Sequence, residues 1–260
     1  MRISIMMATG LLSVLATPAL AEGRWHAADA YYDPADMAAA RRAVQAGSGG
    51  QKTLFFQSDR FEYQSREGSP ILLWDLQGWY GGDTDKLWLK SEGELDLDAS
   101  RFEEAEVQAL YSRAISPYFD LQAGIRHDLE PGPSTSYGVL GIQGLVPYRF
   151  EVDAATFLSE DGDLTARIEA EYELLLTQRL ILQPRAEIAL SLQDVPQLGV
   201  GSGLGSLQLG ARLRYEFDRQ FAPYIGVAWT RDFGDTADFT RAEGGDPAAL
   251  SFVAGVRIWY

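Results

Sequence analysis

Residues 204–217 read LGSLQLGARLRYEF. Leu207, Leu209, Ala211, Leu213, Tyr215 and Phe217 fall on one side of an extended chain. Ser206, Gln208, Gly210, Arg212, Arg214 and Glu216 fall on the other. A strand sorts its side chains with a period of two, whereas a helix would scatter these residues round its axis. Leu164, Ala166, Ile168, Ala170, Tyr172 and Leu174 alternate in the same way with Thr165, Arg167, Glu169, Glu171 and Glu173. Leu180, Leu182, Pro184, Ala186, Ile188 and Leu190 likewise oppose Gln183, Arg185 and Glu187.

Twelve segments of this kind are read, at about 53–65, 70–80, 86–97, 102–115, 118–129, 135–146, 148–159, 163–177, 179–193, 204–217, 221–234 and 250–260. No helices alternate with them, which excludes a parallel α/β sheet. A soluble sandwich or barrel and an outer-membrane barrel remain. The segments exceed the ~5–6 residues of a soluble strand and suit the ~9–11 of a tilted membrane-spanning one. The connections alternate in length. Gly81–Asp85, Ser116-Pro117, Pro147, Thr177-Gln178 and Asp218–Gln220 are mostly tight, whereas Asp194–Gly203 and Asp235–Ala249 are long and Glu130–Ser134 lies on their side. Aromatics gather at the tight-turn end: Tyr80, Tyr118, Phe119, Tyr148, Phe150, Tyr215, Phe217, Phe221, Tyr224, Trp259 and Tyr260. Short periplasmic turns, longer outer loops and an interfacial aromatic girdle are the marks of outer-membrane barrels. The expected fold is all-β: a transmembrane antiparallel up-and-down β-barrel of about twelve strands over residues 52–260, in contact with outer-membrane lipid.

Composition narrows the function. The chain has 260 residues, a net charge of −15, two His and no Cys. Nucleic-acid binding needs Lys and Arg to meet phosphate, so no nucleic-acid partner is expected. Disulfides, Cys zinc sites, iron–sulfur clusters and thiol nucleophiles are excluded. Residues 1–21, MRISIMMATGLLSVLATPALA, read as a signal peptide, with Arg2 at the start, an apolar run and Ala19-Leu20-Ala21 as the cleavage site. Residues 22–51 form a periplasmic lead-in with a short helix. Asp33 suits its N-cap, Pro34 its first turn, and Gly47-Ser48-Gly49-Gly50 its end. The lead-in reads either as a mobile segment or as a plug.

The inward face of the barrel is charged on nearly every strand. The expected lumen-lining residues are Asp75, Lys90, Glu92, Glu94, Glu104, Glu106, Asp120, Arg126, Glu151, Asp153, Arg167, Glu169, Glu171, Glu173, Arg185, Glu187, Arg212, Arg214 and Glu216. Acids outnumber bases. Two readings stay open: a salt-bridge lattice that fills and stiffens the barrel, and an acidic path for cations. Catalysis is not expected. Barrels that act as lipases or proteases need a nucleophile beside a base. His127 is followed by Asp128 and Leu129, so the His-x-Ser arrangement of outer-membrane phospholipases is missing.

Several blocks resemble the copper resistance protein B family of bacterial outer membranes. They are Trp74-Asp75-Leu76-Gln77-Gly78-Trp79-Tyr80-Gly81-Gly82-Asp83, Leu87-Trp88-Leu89-Lys90-Ser91-Glu92-Gly93-Glu94, Gln108-Ala109-Leu110-Tyr111-Ser112-Arg113, Leu121-Gln122-Ala123-Gly124-Ile125-Arg126, Pro184-Arg185-Ala186-Glu187, Phe233-Gly234-Asp235-Thr236-Ala237 and Phe252-Val253-Ala254-Gly255-Val256-Arg257. The resemblance spans about residues 31–260. It implies an outer-membrane barrel of a Gram-negative bacterium that supports copper tolerance by binding or passing copper, with a periplasmic multicopper oxidase as partner. Many relatives carry a Met- and His-rich segment ahead of the barrel, whereas here that segment holds only His26 and Met37. Any copper ion would then be held weakly or transiently by His26 and Met37, by His127 and Asp128 at the outer rim, or by the lumen carboxylates, which are poor copper selectors. The alternative is a small general porin or structural barrel without a metal role.

Overall fold

The computed structural model describes residues 27–48, 50–66, 70–130, 132 and 134–260. The expected signal peptide and His26 lie outside the described residues. Two compact units, Met1–Gly50 and Gln51–Tyr260, divide the chain. In the first, a 3-10 turn at Ala27–Ala30 precedes helix α1, Pro34–Ser48. Asp33 caps α1 as its sequence suggests, its Oδ1 accepting from the Ala35 N–H at 2.8 Å. Arg41 of α1 pairs with Asp29.

The second unit is one antiparallel sheet closed on itself. Its strands are β1 Thr53–Ser65, β2 Ile71–Gly81, β3 Asp85–Asp96, β4 Arg101–Ala114, β5 Phe119–Glu130, β6 Thr135–Val146, β7 Phe150–Ser159, β8 Leu164–Tyr172, β9 Leu174–Leu175, β10 Leu180–Ser191, β11 Gly203–Tyr215, β12 Phe221–Asp232 and β13 Ala248–Trp259. β9 continues β8 past a break at Glu173, and both pair with β10. The described strands therefore occupy twelve places round the barrel, as the alternation suggests. β1 pairs with β2 on one side and β13 on the other, which closes the ring. The seam ends in two bonds between Phe56 and Tyr260, at 2.9 and 2.8 Å. A barrel in lipid needs that closure, because an open edge leaves backbone groups with no partner.

The outer surface identifies the solvent. Ile125 is 64% exposed, Ile225 64%, Phe252 68% and Leu89 58%. Apolar exposure on strand after strand forms a belt far larger than the patches of a water-soluble monomer. Among the described residues no helix is long and apolar enough to cross a membrane. At the end of the barrel that holds both strand termini, Tyr80, Tyr118, Tyr148, Phe217, Phe221 and Tyr260 are exposed. Tyr224 departs from this girdle. It is 4% exposed and faces the lumen, where its hydroxyl donates to Glu62 at 2.9 Å.

The turn between β6 and β7 is strained. Tyr148 and Arg149 both hold positive φ, 70° and 66°. Each such non-glycine residue costs on the order of 1–3 kcal/mol. At the opposite, loop end, the segment after β10 contains a short 3-10 turn, Pro196–Leu198. The segment after β12 folds into helix α2, Gly234–Ala242, where the sequence suggests only a long loop. The two meet where the Gly201 N–H donates to Thr236 Oγ1 at 2.9 Å. A Cβ on Gly201 would lie 2.5 Å from the Thr236 nitrogen, so only glycine fits this approach.

Inside the barrel, Glu62 is fully buried and receives both Arg212 Nε at 2.8 Å and Nη2 at 2.7 Å. The pair ties β11 to β1 across two intervening strands. Removing one member of a buried pair strands the other charge and costs about 3–5 kcal/mol. Glu62→Gln should therefore destabilise the folded barrel by about that amount, read as a lower urea midpoint in the heat-modifiable mobility of the protein in micelles.

Candidate functional site

The period-two alternation sends every second side chain of each strand into the lumen. One residue, Arg167 of β8, organises the middle of it. Its guanidinium lies 3.0 Å from Glu92 of β3, 3.7 Å from Glu104 and 3.0 Å from Glu106 of β4, and 3.8 Å from Glu187 of β10. β3 and β4 are across the barrel from β8, so these contacts span the lumen. Lys90 of β3 spans it again, 2.6 Å from Asp153 of β7.

Around this hub the remaining charges pair more locally. Arg185 grips Glu169 through two bonds of 2.6 Å and reaches Glu187 at 2.6 Å. Arg214 meets Glu173 at 2.6 Å and Glu216 at 3.7 Å, and Arg257 shares Glu173 at 2.6 Å. Arg126 lies 2.7 Å from Glu106 and 2.6 Å from Asp128. Lys86 holds Asp120 at 2.7 Å, Arg60 holds Asp75 at 3.1 Å, and Arg66 stands 3.9 Å from Glu94. Glu171 accepts from the neutral amide of Gln183 instead of a guanidinium.

Some lumen residues are hidden from a simple alternation. Asp59, Arg60 and Glu62 belong to β1, whose register against both neighbours shifts between Ser58 and Phe61. That bulge moves the inward set from odd to even numbers within one strand. Another part of the lumen is apolar: Trp88, Leu110, Tyr137, Val139 and Phe157 form a buried cluster on β3, β4, β6 and β7. The many glycines of β6 obscure its alternation. Arg126 lies over the rings of Phe157 and Tyr137, at 4.8 and 5.2 Å, so the apolar patch fixes a charged group.

Hub and patch leave limited space. A cavity of about 260 Å³ occupies the half nearer the tight turns, where β1 begins and β13 ends, lined by Asp59, Asp75, Glu92, Glu151, Asp153, Glu169 and Glu171 and by Arg60, Lys90, Arg185 and Arg212 among others. A second of about 60 Å³ lies on the loop side, between Glu94, Glu104 and Gln208. Arg167 and Glu187 line only the second of the two, and Glu92 lines both, so the hub stands between them. At the loop mouth, Gln193 donates to Asp163 at 3.0 Å and Val195 is buried. The Ser202 N–H donates to Asp194 at 2.7 Å and holds that carboxyl below the usual carboxylate range.

The rim residues do not converge on one ion. His127 faces outward, with Nδ1 3.1 Å from Ser136 Oγ, whereas its neighbour Asp128 is buried inside against Arg126. Adjacent residues of a strand point to opposite faces, so this pair cannot act as a joint chelate. Met37 belongs to α1 in the N-terminal unit. Among the described residues no group of three or more His, Cys, Asp or Glu is placed to hold a metal ion.

The family described as copper resistance protein B precursor matches residues 52–260. The chain belongs to the copper resistance protein B family. It is 45% identical over 206 residues to a copper resistance protein B homolog of Pseudomonas syringae pv. tomato, covering 79% of this chain and 69% of that one. It is 43% identical over 202 residues to copper resistance protein B of Escherichia coli, covering 78% and 68%. Among solved structures the NanC porin aligns with a TM-score of 0.51 at 10% identity, over 79% of this chain and 99% of that chain. At that identity the likeness is one of fold alone. Fold and family together make this an outer-membrane β-barrel of copper resistance. The family-like blocks at 74–83 and 87–94 form most of β2 and β3, which supply Asp75, Lys90, Glu92 and Glu94 to the lumen.

If the hub closes the path, replacing Arg167 by alanine should open it. Planar-bilayer recordings of the Arg167→Ala barrel should show a conductance severalfold above the intact protein. Equal conductance would mean that the passage is closed elsewhere.

Proposed function

We propose that this barrel supports copper tolerance by admitting copper ions, as cargo, to its acidic lumen and holding them weakly in the cavity nearer the tight turns. One observation supports this reading above the others: seven carboxylates against four cations line that cavity. A partly enclosed surplus of negative charge favours cations. Glu171 and Glu151 are the nominated contacts, the first because its partner is a neutral amide and the second because it faces the same cavity. For one set of oxygen ligands, Cu(II) binds more tightly than the other common divalent ions, so copper is favoured even without imidazole. Residues 52–260 contain no methionine, and their one histidine faces outward, so a soft Cu(I) site is not part of this reading.

The barrel would sit in the outer membrane of a Gram-negative bacterium after removal of the signal peptide at 1–21. Its partner by family resemblance is a periplasmic multicopper oxidase, which would act on the same ion beside the barrel. No chemistry by the barrel itself is proposed. A second reading is a structural barrel with no metal role, favoured by the ion pairs that Arg167 and Lys90 throw across the lumen.

The two separate on Glu151→Gln/Glu171→Gln, made in the full chain. Under the copper reading, Cu(II) binding to the purified protein weakens by about tenfold, the loss of ~1.4 kcal/mol. A deletion strain carrying the variant then grows less well than one carrying the intact gene in copper, and equally well in zinc. Unchanged binding and unchanged copper tolerance would remove the cavity from the mechanism and leave the structural barrel.

A further inference from the structure

The outer surface carries a charge pattern that the lumen does not explain. The chain is strongly acidic, and the lumen cations described above are each held by carboxylates. Apart from Arg113, which lies in register with Asp85 on the far side of the ring, four exposed cations at the turn end are different. Arg149 lies on the β6–β7 turn, Arg179 on the β9–β10 turn, Arg219 on the β11–β12 turn, and Lys52 just ahead of β1. Since β1 follows β13 round the closed ring, the four mark a single arc. Each tight turn on that arc has one arginine. Among the described residues none of the four has a carboxylate within salt-bridge distance. On the arc's turns Asp218, beside Arg219, is exposed and Glu216 is engaged by Arg214 at 3.7 Å, while Asp83 and Asp85 belong to the β2–β3 turn outside the arc.

The four cations sit among exposed rings. Tyr148 is 85% exposed, Tyr260 83% and Phe217 60%. Lys52 Nζ stands 5.6 Å over the Tyr80 ring, and Trp259 Nε1 donates to the Arg219 carbonyl, tying that turn to β13. Tyr148 and Arg149 occupy two consecutive left-handed positions that Asn-Gly would fill without strain. Glycine there would forfeit a ring and a guanidinium at the interface. The loop end has the opposite balance, for Asp98, Glu160, Asp161, Asp194, Asp235, Glu243 and Asp246 are exposed there and outnumber the exposed Arg101, Arg231 and Arg241.

We propose that the arc formed by Lys52, Arg149, Arg179 and Arg219 binds the anionic headgroups of phospholipids in the leaflet at the tight-turn end of the barrel, where β1 begins and β13 ends. Rings at that depth fix the height of the barrel in the interface, and the cations beside them meet phosphate oxygens. Guanidinium suits this task because its fork donates two parallel bonds to phosphate. The acidic loop end would repel the same headgroups, so the pattern also sets which end of the barrel faces that leaflet. The inference is independent of the copper reading.

The test uses the full chain reconstituted in phosphatidylcholine vesicles with a trace of spin-labelled lipid. The immobilised fraction of labelled phosphatidylglycerol is compared with that of labelled phosphatidylcholine. The intact protein should prefer phosphatidylglycerol by about fivefold, the worth of one near-surface cation. The preference should shrink as salt is raised. Lys52→Gln/Arg149→Gln/Arg179→Gln/Arg219→Gln should bring it close to one while heat-modifiable mobility reports a folded barrel. Arg149→Gly guards against misfolding. It relieves the strained turn, so it should stabilise the barrel and yet lower the preference, whereas a merely structural arginine would show only the first effect. No preference in the intact protein, an undiminished preference in the fourfold variant, or displacement of the labelled lipid by millimolar inorganic phosphate would each overturn the proposal.

Discussion

In hydrocarbon there is no water to satisfy a backbone N–H or C=O, and the rest of this structure depends on that. Strands meet the condition only when the last pairs with the first. β13 does so with β1, down to the two bonds between Phe56 and Tyr260. Closure then divides every strand into a lipid face and a lumen face. The lipid face carries Leu, Ile, Val and Phe with a fringe of aromatics. The lumen face must hold what lipid rejects, and here it holds the larger share of the charge.

That charge is organised, not merely enclosed. Ion pairs of this kind gain little net stability over an apolar filling, because desolvation offsets attraction. They do fix geometry, since each side chain is committed to a partner. Arg212 selects Glu62 across two strands, and Arg167 selects four carboxylates from three strands. The lumen is consequently not a filled core. An apolar cluster and an arginine hub leave one cavity of about 260 Å³ with more acid than base on its walls. A lattice of ion pairs and a cavity lined by more acid than base thus coexist in one barrel, in different parts of its length.

The copper question turns on donor chemistry. Soft thioether and imidazole ligands are scarce in this chain, and the two rim residues His127 and Asp128 face opposite ways. What the barrel offers a metal ion is oxygen, negative charge and confinement. Under the proposed copper reading, those would favour loose, fast-exchanging contact with a divalent ion over storage.

The alternation in residues such as 204–217 was enough to mark the strands and, where no bulge or run of glycines intervenes, their two faces, because a period of two has one geometric meaning. Capping by Asp33 was legible for the same local reason. The bulge in β1 was not, since a one-residue shift leaves no mark in composition and yet reverses which side chains face inward. Nor was helix α2, which is anchored by contacts from the distant loop at Gly201. The glycines of β6 concealed an apolar patch that its neighbours complete. Above all, sequence placed Arg167, Glu92, Glu104, Glu106 and Glu187 in the lumen but had no means of joining them. Their meeting depends on the curvature that brings β8 opposite β3 and β4, and only the closed tertiary structure sets that distance.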